Sequence, residues 1–368
     1  MIYCGIFIAL FIVAFAIDNK SDEYKDKVFK YFTIGLTIMS AFRYQVGHDF
    51  ESYYDIHSTN TWHLGEHDFI EPGFTFISKF CSIIFPDNEM SFQLLVIIFA
   101  ISTMFLYYKV IDKYSKNKVL SLAILYPMYY LNTVFGQIRY GIVLAICLYS
   151  FKYIKEKNLL KFLLSMIIAI TFHFSAIFFV PIYFLANIEL KDIWKFIILI
   201  FSLMFGVIIN PVDIIGFINS SFIHSTYLEN KVSLYSNSSL SIFTSSFIYI
   251  FLIFIFIYFA YKKIKCKDND MKLMINIFFW GIIFYILTNR FEIIAFRGSS
   301  YVFILEIILI PNIIYYIKEK YKLIKKLFEA FITFYSTYRL YVTVFYWIPV
   351  FIPMRSYIFH FINDIFIK

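Results

Sequence analysis

Long apolar runs, separated by short lysine-rich clusters, set the first constraint on this chain. They fall near residues 1–17, 28–42, 91–108, 119–131, 139–154, 196–212, 242–260, 273–289, 299–317 and 327–347. As helices these runs are of the length needed to cover the roughly 30 Å of a bilayer's hydrocarbon. Inside lipid each backbone N–H and C=O must find its partner within the segment, which a helix provides. Of 368 residues, 61% are hydrophobic and only 16% are charged, more apolar surface than a soluble domain hides. The expected fold is therefore all-α: a polytopic integral membrane helical bundle, with one transmembrane domain over residues 1–368.

One run is ambiguous. "FLLSMIIAITFHFSAIFFVPIYFLA", residues 162–186, would reach roughly 38 Å as a single helix and cross once. Broken in two, it forms a short hairpin with His173 at its tip. Lysine placement decides between the two. Clusters occur in "DNKSDEYKDKVFK", "KVIDKYSKNK", "KYIKEKNLLK", "YKKIKCKDNDMK" and "KEKYKLIKK". Positive charge favours the cytoplasmic side, and all five clusters lie there only if residues 162–186 cross twice. The expectation is twelve spans with both termini outside. The opening "MIYCGIFIALFIVAFAI" has neither a basic leader nor a small-residue cleavage site, so it is expected to be the first membrane helix.

This topology sorts the cations. It leaves only Lys79, Lys231 and Lys368 outside among the lysines. All six arginines, Arg43, Arg139, Arg290, Arg297, Arg339 and Arg355, fall on or near the outer face, as do all seven histidines. Orientation needs only positive charge, and lysine supplies it inside. Arginine and histidine outside answer a different demand. Guanidinium is a planar fork that grips phosphate bidentately and keeps its charge when partly buried. Imidazole moves protons near neutral pH. The plainer reading is that the arginines reach lipid headgroups or pair with loop acids.

Two long outer connections result, residues 43–90 and 213–241. The first opens with "FRYQVGHDFESYYDIH", dense in polar and aromatic groups. It continues into "EPGFTFISKFCSIIF", where Pro after Glu71 marks a helix start. Phe74, Ile77, Cys81 and Ile84 recur at helical spacing, predicting an in-plane helix on the outer surface. The second connection, rich in Ser and Asn, contains His224 and Tyr227 and is expected to be a solvated connector. Arg139 lies in "FGQIRYGIVLA" at the mouth of one span with Gln137 beside it, and Arg297 lies in "AFRGSSY" at the mouth of another. With bundle closure these groups, His173 and the 42–57 stretch would converge beneath the outer leaflet. His63, His67 and Asp68 cluster in sequence, but "HLGEH" is not a zinc-protease pattern and nothing completes a metal site. Cys4, Cys81, Cys147 and Cys266 are scattered and suggest neither a disulfide framework nor a metal site.

No nucleotide-binding loop is present, and the outer face has no cytosolic nucleotide to draw on. An activated substrate there must bring its own leaving group, as a lipid diphosphate does. Arginines can stabilise the charge on a departing diphosphate, and a histidine or carboxylate can take a proton from an attacking hydroxyl. The chemistry that fits is metal-free glycosyl transfer from a polyprenyl-diphosphate sugar, with no cofactor and no nucleic acid. Transport of polysaccharide by a flippase would need polar groups through the midplane, where Glu306 is the notable exception to an almost charge-free interior. A membrane O-acetyltransferase would need a path to a cytoplasmic acyl donor.

Five segments in order resemble the EpsG family and the wider group of Wzy-type O-antigen and capsule polymerases. They are "FRYQVGHDFESYYDIH", similar to an Arg-x-x-x-Gly-x-Asp-x-x-x-Tyr segment, then "EPGFTFISKF", "GQIRYGIVLAI", "FHFSAIFFVPIYFL" and "FRGSSYVFILEIILIP". The resemblance covers about residues 40–315 and continues loosely through "PMRSYIF". It implies polymerisation of undecaprenyl-diphosphate-linked oligosaccharide units on the outer face of a bacterial inner membrane. The growing glycan would pass from its lipid to the non-reducing end of an incoming lipid-linked unit. It also implies partnership with a flippase and a chain-length regulator, and a looser similarity to GT-C glycosyltransferases. On this basis His173, Arg139, Arg297 and Glu71 are the expected catalytic residues, with His173 the preferred general base. Arg43, Asp49, Tyr53, Gln137 and Arg290 are the expected substrate-binding residues. Gly47 matches the first motif.

Overall fold

A computed structural model of the chain describes residues 2–17, 20–59, 63–64, 68–208, 216, 219, 244–290, 292–317 and 321–360. Among the described residues, helices occupy the apolar runs. They are α1 (Ile2–Ala16), α2 (Asp22–Ala41), α3 (Phe50–Ser58), α4 (Pro72–Ile84), α5 (Asn88–Tyr114), α6 (Lys118–Leu125), α7 (Ile138–Lys155) and α8 (Leu159–Phe172). After α8 come α9 (Ile182–Leu185), α10 (Asp192–Ile208), α11 (Ser245–Ile264), α12 (Asn269–Thr288), α13 (Glu292–Phe303), α14 (Glu306–Tyr316), α15 (Lys322–Leu340) and α16 (Ile348–Phe351). The strand structure among the described residues is one antiparallel pair, His63–Leu64 with Asp68–Phe69, in the first outer connection. The rest of the cluster around His67, and nearly all of 213–241 with His224 and Tyr227, lie outside the described residues.

Among the described residues, α5, α11 and α12 are each long and apolar enough to cross a membrane alone. The bent pair Ile294–Phe303 and Glu306–Tyr316, which meet at 42°, together pass the same test. The chain is an all-helical membrane protein. Polar residues between the runs set where helices begin. The side chains of Asp87 and Asn117 accept hydrogen bonds from the Met90 and Leu120 amides at 2.8 and 3.0 Å, satisfying donors that the first helical turn leaves open. Two apolar runs change pitch instead of ending. α6 runs into a π-helical turn, Tyr126–Val134, and α15 into another, Tyr341–Phe345. Asn132 in the first turn donates to Thr343 in the second at 3.2 Å.

The chain groups into two compact units. The first comprises Met1–Ser150, Ile167–Phe174 and Glu306–Lys368. Here α2 and α4 pack on α5, and α1 and α14 pack on α6. Glu306, buried at the start of α14, accepts a hydrogen bond from the Tyr129 hydroxyl at 2.8 Å. The second unit comprises Phe151–Met166 and Ser175–Leu305, with α10, α11 and α13 packed on α12.

Segments that share a side in the expected topology meet within each unit. In the first, Lys118 bonds both Asp26 and Asp112, at 2.6 and 2.7 Å. The Tyr44 amide donates to the Arg355 carbonyl and the Tyr357 amide to Phe42, tying "FRYQVG" to "PMRSYIF". In the second, Lys155, just before α8, pairs with Asp270 at 2.7 Å. Glu189, just after α9, pairs with Lys272 at 2.6 Å. Asn276 of α12 also donates to the Ala186 and Ile188 carbonyls. The run at 162–186 thus leaves from the start of α12 and returns to it, as a hairpin must. The helix breaks at His173 and resumes as a 3-10 turn, Phe174–Phe179, followed by α9. The fourteen residues of α8 rise roughly 21 Å, less than the about 30 Å of hydrocarbon.

Candidate functional site

α4 begins where its sequence says it should. Glu71 takes the cap position with extended backbone, and Pro72 occupies the first turn, where its missing N–H costs nothing. The Glu71 carboxylate does not cap its own helix. One oxygen accepts from Arg139 Nη1 at 2.6 Å, and the other accepts from the Phe174 amide at 3.2 Å. Phe174 is the first residue past the His173 break, so a single carboxylate joins the start of α4, the start of α7 and the tip of the hairpin. Gly73 allows the approach. A Cβ there would lie 2.7 Å from both the carbonyl and the hydroxyl of Thr171. Each residue of "EPG" therefore has a physical task. The His173 ring, half-buried, lies edge-on to Tyr140 with centroids 5.7 Å apart.

The Arg139 guanidinium sits over the rings of Tyr53 and Phe74 at 5.3 and 5.6 Å. The pair with Glu71 is partly accessible, with 21% and 11% side-chain exposure. Arg139 Nε is buried without a hydrogen-bond partner. Tyr53 is buried, and burial pushes its hydroxyl pKa up against the opposing charge of Arg139. Gln137 is half-buried in the break between the first π-helical turn and α7.

Arg43 is arranged differently. It is fully buried, with its Nη1 donating to the Val46 carbonyl at 3.2 Å and its charge over Phe50 and Phe135 at 5.5 Å each. Nε and Nη2 have no hydrogen-bond partner. Burial pushes its pKa down to about 10, opposed by Tyr53, Tyr130, Tyr3 and Asp49, and it stays charged at neutral pH. The structure gives Arg43 no surface from which to touch a ligand, because the turn at 43–50 closes over it. Gly47 makes that turn possible. Its φ is +97°, and a Cβ would meet the Phe135 carbonyl at 2.2 Å and Arg43 Nη1 at 2.6 Å. Asp49 is exposed at the cap of α3 with a left-handed φ of 63°.

Arg297 and Arg290 belong to the second unit. Arg297 is half-buried on α13, next to Gly298, which packs against Phe284. Arg290 is exposed just past α12. The groups brought together directly are Glu71, Arg139, Tyr53 and the His173–Phe174 break, all in the first unit. Sequence reasoning missed the His57 cluster, where the ring nitrogens lie 2.7 Å from Ser78 Oγ and 2.6 Å from Ser91 Oγ, all buried. That cluster corrects the expected face of α4. The helix buries Phe74, Ser78 and Cys81, while Ile77 is only half-buried and Ile84 is exposed. The small Ser78 admits the imidazole, a reason that hydrophobic periodicity cannot register. All four cysteines are free thiols. Among the described residues no three His, Cys, Asp or Glu side chains are grouped to hold a metal ion.

A broken helical hairpin held by an ion pair, within an all-helical membrane protein, is the class that fold and site define. The EpsG family model matches residues 27–353, and the chain belongs to that family of Wzy-type, exopolysaccharide-polymerase-like membrane proteins. No curated protein and no solved structure matches it.

Proposed function

We propose that this chain joins polyprenyl-diphosphate-linked oligosaccharide units into polysaccharide at the outer face of a bacterial inner membrane. The observation that carries the reading is the Arg139–Glu71 pair anchored to the amide after His173. A partly exposed guanidinium is thereby tied to the backbone of the residue that follows His173, in a family of polymerase type. In the proposed reaction a hydroxyl at the non-reducing end of the incoming unit attacks the anomeric carbon of the growing chain. The bond from that carbon to the lipid diphosphate breaks, and the diphosphate leaves with both bonding electrons. His173 takes the hydroxyl proton, and Arg139 stabilises the charge that builds on the leaving group; Arg297, in the second unit, is a separate candidate for diphosphate contact. Glu71 holds Arg139 in register and fixes the hairpin tip. Tyr53 fixes the other face of the guanidinium, Gln137 and Asp49 face sugar hydroxyls, and Arg290, in the second unit, is a separate candidate for substrate contact. Arg43 acts from below by holding the turn that carries Asp49 and Tyr53.

Twelve spans with both termini outside belong to the same proposal. They are supported by the return of the 162–186 hairpin to α12 and by the pairing of same-side segments within each unit. A flippase would deliver the units, and a chain-length regulator would act beside the polymerase. The test is Arg139→Lys and Arg297→Lys in cells lacking the native gene, with glycans resolved by length. Both variants keep charge but lose the planar fork. The expected result is loss of long polymer, with single units still transferred to the terminal acceptor at unchanged protein level. A normal ladder from both variants would overturn the assignment.

A further inference from the structure

Tyr53 and Tyr54 are consecutive on α3, so their side chains project about 100° apart. Tyr53 turns inward to Arg139. Tyr54 turns to a separate cavity of 120 Å³ in the same unit. At roughly 30 Å³ per water that volume corresponds to about four water molecules, and the exposed Gln45 and Glu51 leave it open at the mouth, so it seats part of a sugar ring with the remainder in solvent. α3 supplies Phe50, Glu51 and Tyr54, and the first turns of α5 supply Glu89, Phe92 and Gln93. Tyr44 and Gln45 from the first motif and Tyr357 from the C-terminal segment complete the wall.

The chemistry of this lining is specific. Phe50 and Phe92 meet edge-to-face at 5.2 Å and make a buried floor. Tyr54 stands edge-on to Phe92 at 5.3 Å. Tyr44 is held between Tyr357, at 5.9 Å, and the His360 ring stacked on it at 4.1 Å. Arg355 donates to the Gln45 side-chain oxygen at 3.0 Å, which leaves the amide N–H groups of Gln45 to serve a ligand. Gln93, buried, is fixed by its bond to the Ala41 carbonyl. Glu51 is exposed at the rim, and Glu89 lies 2.9 Å from the His360 imidazole. Burial raises the Tyr54 hydroxyl pKa, and Glu89, Asp87, Glu51 and Asp55 raise it further, so the local field is negative. Such a field repels diphosphate. Tyrosine faces accept the C–H side of a sugar ring, while carboxylates and amides take its hydroxyls.

We propose that this cavity is a sugar subsite for an uncharged or amine-bearing pyranose, separate from the groups that hold diphosphate. It rests on the reading above that the substrate is a glycan, and it assigns to the first outer connection the task of holding one sugar of that glycan. Saturation-transfer NMR on the detergent-solubilised full chain tests it. The probes are the methyl glycosides of glucose, N-acetylglucosamine, glucosamine and glucuronic acid. Transfer is expected from aromatic protons to at least one of the first three and not to the glucuronide. In the combined Glu51→Gln and Glu89→Gln variant, half-saturation should weaken roughly tenfold, because neutral hydrogen bonds replace charge-assisted ones. Tyr54→Ala should lose the ring contact, with the melting temperature of each variant recorded beside it. The subsite is overturned if no probe binds, if the glucuronide binds equally, or if the carboxylate variant binds as the parent does. Arg139→Lys should leave sugar binding intact. Sugar binding by the parent, alongside a polymer ladder that is unaltered when the gene is deleted, would sink the polymerase reading and keep the subsite.

Discussion

Arg43 and Arg139 are alike in sequence and opposite in setting. Each follows or opens a helix, and each lies over two aromatic rings. Arg139 has a carboxylate partner at 2.6 Å and reaches the surface. Arg43 has one backbone carbonyl at 3.2 Å and no exposure. A guanidinium buried without a counter-ion is held by the fold around it, so its loss falls on the fold. Under the proposed function the paired, partly exposed guanidinium of Arg139 is held for the substrate, so its loss should fall on activity. The pair therefore separates architecture from chemistry within one motif-bearing region.

Changes at the Arg43 turn should have the largest effect. Gly47→Ala forces a left-handed alanine into the Phe135 carbonyl and should destabilise by more than about 3 kcal/mol. Little folded protein is expected on size exclusion in detergent. Arg43→Lys places a strongly hydrated ammonium in a dry site and should cost on the order of 3 kcal/mol. The measurement is the detergent melting temperature, and a parent-like value would erase the distinction between the two arginines.

Glu71→Gln sharpens the other side of the comparison. It keeps the shape and the acceptor for the Phe174 amide but removes the charge that fixes Arg139. Polymer formation should fall on the order of 100-fold, while stability should fall by only about 1–3 kcal/mol. Equal loss of both would mean that the pair is structural.

The smallest expected effect is one of pH. Burial lowers the His57 pKa in the folded protein, while the unfolded value is about 6.5. Above about 6.5 both states are neutral and the stability is fully present. As pH falls below that value the unfolded chain takes up a proton that the folded site resists, so stability is lost on acidification. Melting temperature should drop between pH 7.5 and 5.5, and the drop should shrink in His57→Gln, which keeps hydrogen-bonding capacity towards Ser78 and Ser91.

Much of the architecture was legible because lipid imposes simple rules. Apolar length located the helices, and lysine placement required the hairpin whose two ends return to α12. The Pro72 start of α4 followed from local chemistry. Other features were hidden because they depend on partners distant in sequence. Nothing near Glu71 announces the Phe174 amide, and nothing in "FRYQVG" announces that Arg43 turns inward under Phe135. The π-helical turns at Tyr126–Val134 and Tyr341–Phe345 leave an apolar run looking uninterrupted. The cavity beside Tyr54 draws on residues 44–54, 89–93 and 357, a grouping created only when the C-terminal segment pairs with the first motif.

The central claim, that the partly exposed Arg139 serves the leaving diphosphate, meets its most direct test in a defined system. Purified protein in liposomes would receive polyprenyl-diphosphate-linked repeat units, and released polyprenyl diphosphate would be followed beside product length. The account predicts that the parent lengthens glycans with matching release, and that Arg139→Lys slows both by at least about 100-fold at an unchanged melting temperature. Lengthening by Arg139→Lys at the parent's rate would contradict it.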